Sequence, residues 1–135
     1  MTRVAFVVAL GAALAAGAAQ ACDIPAGFAP LGRVESANVV VAYRPVPAPI
    51  TLGKHFALET IVCTKAGAAP KSVRVDAQMP EHRHGMNYKA KVVAQGDGRY
   101  RADGMLFHMP GRWQFVFDVE TGKGRERLVH DYMLQ

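Results

Sequence analysis

The tightest constraint on this chain is the period-two alternation that recurs in its short apolar stretches. Trp113, Phe115, Phe117 and Val119 alternate with Gln114, Val116 and Asp118, and Val73, Val75, Ala77 and Met79 alternate with Arg74, Asp76 and Gln78. Such a stretch is a half-buried strand, because successive side chains of extended backbone point to opposite faces. Phe56–Cys63 divides the same way, with Phe56, Leu58, Thr60 and Val62 on one face. Asn38–Tyr43, Tyr88–Ala94, Arg99–Phe107 and Arg127–Leu134 add further strands. Gly96-Asp97-Gly98 is a hairpin signal, since Asp-Gly readily adopts positive φ. Arg44–Pro49 carries three prolines and is excluded from a central strand or a helix. No convincing helix appears. The expected fold is all-β, an immunoglobulin-like β-sandwich of about seven antiparallel strands.

The first residues stand outside that fold. Arg3 precedes an Ala-rich apolar run from Val4 to Ala18, and Ala19-Gln20-Ala21 fits a small-x-small cleavage site. Residues 1–21 read as a cleaved secretory signal, 22–37 as an extended N-terminal arm, and 38–135 as the sandwich domain. The expected location is periplasmic or otherwise exported, with no transmembrane anchor after cleavage. Lipidation at Cys22 is the lesser alternative, because Ala19 stands where a lipidation signal carries Leu. Loss of Arg3 leaves 15 Lys and Arg against 11 Asp and Glu, a net charge of +4. The cations form no block, which argues against nucleic-acid recognition.

Only two cysteines occur, Cys22 and Cys63. In an oxidising compartment they are expected to form one disulfide. The competing reading makes Cys63 a copper thiolate, but it lies far upstream of the histidines and methionines that a blue-copper site would need beside it.

Those residues are concentrated. Met79-Pro80-Glu81-His82-Arg83-His84-Gly85-Met86 holds two of the five histidines and two of the six methionines. Met105-Leu106-Phe107-His108-Met109-Pro110-Gly111 adds one histidine and two methionines. Imidazole and thioether are neutral ligands that copper favours. His82 and His84 share parity in extended backbone, and Met86 continues it. If the two segments meet, His82, His84, Met86 and His108 are the expected ligands of a copper ion, Cu(I) or Cu(II). The plainer role, core filling, is assigned to Met79 and Met105. His55 and His130 are assigned to structure or surface, and Asp76, Glu81 and Arg83 to solvated charge. Trp113 is assigned to the core, with a place just after the turn that would also let it shield a metal.

The run from Met79 to Met86, then Gly98-Arg99-Tyr100, then Phe107–Trp113 resembles the YtkA-like domain family and the related FixH-like domains. The resemblance spans roughly residues 38–134. It implies a small exported or membrane-anchored sandwich found near copper-handling and oxidase-maturation systems. The family's loop of methionine and histidine maps onto Met79, His82, His84 and Met86, and its turn maps onto Met109–Trp113. His108 is an addition.

Two functions follow as expectations. One is an exported protein that buffers or delivers copper to a periplasmic cuproenzyme or an oxidase-assembly partner. The other is a metal-free interaction module that docks on a periplasmic or membrane complex. An enzyme is not expected: the sequence shows no nucleophile–base arrangement, no phosphate loop and no paired acids in an apolar setting. The Cys22 start lacks the N-terminal histidine of a copper mono-oxygenase.

Overall fold

The computed structural model describes residues 22–135, so the expected signal segment lies outside the described residues. Nine strands form among the described residues: β1 (Gly32–Glu35), β2 (Val39–Val46), β3 (His55–Thr64), β4 (Ser72–Met79), β5 (His84–Gly85), β6 (Lys91–Gly96), β7 (Arg99–Leu106), β8 (Gly111–Thr121) and β9 (Gly124–Leu134). They build two antiparallel sheets, β1-β2-β3-β7-β6 and β5-β4-β8-β9, packed as a β-sandwich. The expected strands are all present, and the two extra ones are the short β1 and β5.

The alternation sets the core. Val73, Val75, Ala77 and Met79 of β4 and Trp113, Phe115, Phe117 and Val119 of β8 face Phe56, Leu58 and Val62 of β3 across the sandwich. Trp113 stacks on Phe107, with ring centroids 4.2 Å apart and planes 7° from parallel. Full burial of each such ring contributes on the order of 1.5–3 kcal/mol relative to exposure.

Two readings are corrected. First, β2 continues through Arg44, Pro45 and Val46, which the prolines had seemed to bar. The Leu31 N–H donates to the Tyr43 carbonyl, so Tyr43 turns its backbone groups towards β1, and Pro45, two residues on, does the same. β1 ends opposite Tyr43, so the N–H that Pro45 lacks would have had no partner. Second, the end of the stretch read as an arm, Gly32–Glu35, is hydrogen-bonded to β2 as an edge strand.

The arm proper covers the outside of the first sheet. Phe28 and Ile24 pack on Ala42 and Ile61, and the Arg44 guanidinium lies 4.6 Å over the Phe28 ring. A Cys22–Cys63 disulfide anchors it. No free cysteine remains, which overturns the thiolate alternative for Cys63.

The sandwich is closed along the β1/β9 side. Ser36 and Asn38 donate to the Glu126 carboxylate and hold it below the usual carboxylate range. Tyr43 and His130 are hydrogen-bonded across the sheets at 2.5 Å. Gly32 makes that pair possible, because a Cβ there would stand 2.4 Å from the His130 ring.

Candidate functional site

At one end of the sandwich β4 stops at Met79, and Pro80–His82 form a single 3-10 turn. Pro80 suits its start, since its missing N–H would be unpaired there in any case. Arg83 then adopts a left-handed conformation, φ 55°, and donates its N–H to the Pro80 carbonyl. The chain reverses, and His84 and Gly85 pair with Met79 and Gln78. Gly85 suits this close pairing, because a Cβ would approach the Ala77 carbonyl oxygen to 3.1 Å, tighter than an ordinary contact. The segment between His82 and His84 is therefore not extended, as their shared parity had assumed. Glu81 accepts a hydrogen bond from Arg112 of β8 at 2.9 Å, and Arg112 also reaches Asp131 of β9 at 3.1 Å. Glu81 is thus a tether for the turn as well as a surface charge, and the two acids raise the Arg112 pKa further.

His108 arrives from the other sheet, two residues beyond β7. Its position is fixed on both sides. The Phe107 carbonyl accepts the Gly53 N–H at 2.9 Å, and the Met109 carbonyl accepts the Trp113 indole N–H at 2.9 Å. The His84 and His108 ring centroids lie 5.2 Å apart, and those of His82 and His84 lie 5.7 Å apart. Trp113 forms the floor, its ring edge-on to both His84 and His108 at 6.2 and 5.5 Å.

The other expected positions divide clearly. Met79 and Met105 are core residues, with exposures of 1% and 0%. Met86 is also drawn into the core, at 9% exposure, held by its N–H to the Ala77 carbonyl. Met109 packs half-buried against the core. His55 is exposed and edge-on to Tyr88, and no ring contact joins it to His82, His84 or His108 among the described residues.

The chemistry of the donors can be read from their partners. A carbonyl only accepts, so the His84 Nδ1, 2.9 Å from the Gly85 oxygen, carries the proton, and the neutral ring keeps its lone pair on Nε2. Metal-bound histidines are commonly oriented in this way. The His108 Nδ1 is buried without a hydrogen-bond partner, and buried polar atoms are rarely left so. Two imidazoles sharing one ion, with nitrogens about 2 Å from it, place their centroids roughly 5–6 Å apart. The three rings are neighbours but not a finished cage: among the described residues no group of three or more His, Cys, Asp or Glu is set to hold a metal ion as it stands.

The tether from Arg112 to Glu81 was missed from sequence. The phase of Trp113 on β8 marks it as inward-facing and its place after the Pro110-Gly111 turn sets it near the histidines, but nothing in the sequence pairs Arg112 with Glu81.

The YtkA-like family model matches residues 34–117. The matched segment runs from β1 into β8 and contains His82, His84, His108 and Trp113. No curated protein and no solved structure matches the chain. Among the described residues no helix is long and apolar enough to cross a membrane.

Proposed function

The chain belongs to the YtkA-like family, and from that premise, which points to an exported domain, we propose that it binds copper and buffers it or delivers it to a periplasmic cuproenzyme or oxidase-assembly partner. The observation that carries this reading is the pairing of the fixed His84 tautomer with the unpartnered His108 Nδ1, 5.2 Å apart by ring centroid. His84 and His108 supply neutral imidazole to either oxidation state of copper. His82, on the exposed turn, is the movable third donor. Met86 is a soft donor only if it leaves the core. A site with few fixed donors at a rim can release its ion to a competing partner, which suits transfer better than storage.

The test is titration of the protein with Cu(I) and with Cu(II) against a competing chromophoric chelator. A variant with His82, His84 and His108 changed to Ala is measured in parallel. Stoichiometric binding by the parent and at least a hundredfold weaker binding by the variant is expected; equal binding by the two excludes the site.

The metal-free interaction module is the second reading. Leu52 and Tyr88 are exposed in the loops at this end, and Met133 lies beside Arg112 on the neighbouring strand. A protein that carries no copper after isolation from copper-fed cells and co-purifies with one defined partner favours that reading.

A further inference from the structure

The sandwich is closed along β1 and β9 but open along β4 and β6. Among the described residues β5 covers only Gln78 and Met79, and β6 pairs with β7 alone. Between β4 and β6 lies a cleft of about 1080 Å³, which runs from Val73 past Val75 and Val92 to Met79 and His84.

The backbone that faces this cleft can be identified. Residues of an antiparallel strand send their N–H and C=O alternately to the two sides. The Ala77 carbonyl accepts from Met86 across the β5 side, so Ala77 faces away from β8. Val75 and Val73, at steps of two, face the same way. Ala77 is satisfied twice over, since its N–H donates to the Asp76 carboxylate at 2.8 Å. The N–H and C=O of Val73 and Val75 have no such partner among the described residues. Four backbone groups therefore stand ready to pair, while the Val73 and Val75 side chains stay in the core. An edge of this kind is a template for an added strand unless it is shielded.

The charge around the cleft selects what is added. Arg74, Arg83, Lys89 and Arg127 line it, against Asp76 and Asp118. Both acids are engaged, Asp76 by Lys89 at 3.2 Å and Asp118 by Arg127 at 2.7 Å. Arg74 and Arg83 form no ion pair among the described residues. A strand laid on β4 would set alternate side chains beside Arg74 on the outer face and the others against Val92 on the inner side.

We propose that the free edge of β4 accepts an extended segment of a partner protein in which acidic and apolar residues alternate, paired to the Val73 and Val75 backbone as an added strand that reaches the His84 end of the cleft. This docking needs no metal, so it stands or falls apart from copper binding.

The test uses the intact, disulfide-bonded protein and an eight-residue peptide of alternating valine and glutamate. A lysine-for-glutamate peptide and a fully N-methylated glutamate peptide serve as comparisons. Amide exchange followed by NMR should slow at least tenfold at Val73 and Val75 with the glutamate peptide. The other two peptides should leave exchange unchanged. Arg74→Gln combined with Arg83→Gln should weaken binding at least fivefold at an unchanged melting temperature. Unaltered exchange at Val73 and Val75 under saturating glutamate peptide overturns the proposal, as does equal binding of the lysine peptide. Protection that rises with protein concentration in the absence of peptide also overturns it, because the edge is then taken by a second copy.

Discussion

His84 and His108 belong to different sheets, one on the short strand β5 and the other just beyond β7, yet their rings stand 5.2 Å apart over Trp113. The two sheets meet here because Trp113 packs beneath both rings and fixes the loop of His108 through the Met109 carbonyl. The juxtaposition rests on the core, and not on the loops alone.

Trp113 is the only tryptophan, so it reports on this place. Cu(II) bound by His84 and His108 should quench its emission by more than half at one equivalent. His84→Ala and His108→Ala should each weaken the quench-derived affinity at least tenfold, about 1.4 kcal/mol. His55→Ala should leave it unchanged. Emission that is indifferent to Cu(II), or a loss of equal size in His55→Ala, counts against the site.

The Cys22–Cys63 bridge spans 41 residues and fastens the arm over Ile61 and Ala42. Its main effect is to restrict the unfolded chain, a contribution of roughly 2–4 kcal/mol. Reduction, or Cys22→Ser with Cys63→Ser, should lower the urea midpoint by that equivalent and keep the β-sheet circular dichroism signal. A midpoint unchanged by reductant would show that the bridge adds nothing to stability.

The long strands were legible because β4 and β8 keep one face apolar over their whole length, as Trp113, Phe115, Phe117 and Val119 do at full burial. β1 was not, since Gly32-Arg33-Val34-Glu35 is too short to show a period, and its fit depends on Tyr43 and His130, which lie far along the chain. Proline at position 45 misled for a similar reason: its acceptability depends on where a different strand ends. Within the site, residue types pointed to His82 and His84, but parity misplaced the backbone. The left-handed Arg83 turns the chain between them, and Met86 drops into the core. The nearness of His108 to His84 is set by sheet packing, which local pattern does not encode.

Arg112 ties β8 to the turn that carries His82, through Glu81 at 2.9 Å. The pair is solvent-exposed, so water screens it and its share of global stability is small. Its local effect should be larger. Arg112→Ala should speed amide exchange in residues 80–85 several-fold, and if His82 is a donor, copper affinity should fall a few-fold. A melting temperature lowered by many degrees would instead make Arg112 a structural keystone.

Tyr43 is buried at 1% exposure, and its hydroxyl is bonded to His130 Nδ1. Burial, with a smaller effect from the nearby Tyr132, raises its pKa well above the ordinary phenol value. The folded state therefore holds this proton to higher pH than the unfolded chain does. Below about pH 10 both states are protonated and the stabilisation is complete; above it the unfolded chain ionises first, and stability falls by up to about 1.4 kcal/mol per pH unit. Tyr43→Phe should cost about 1–3 kcal/mol at pH 7, by leaving the His130 Nδ1 without its partner. The same variant lacks the alkaline loss, so its deficit against the parent should narrow by about 1 kcal/mol or more between pH 9.5 and 11. Urea unfolding of both proteins across that range decides the matter. A deficit that stays constant with pH means the Tyr43 phenol ionises as readily in the folded protein as in the unfolded chain.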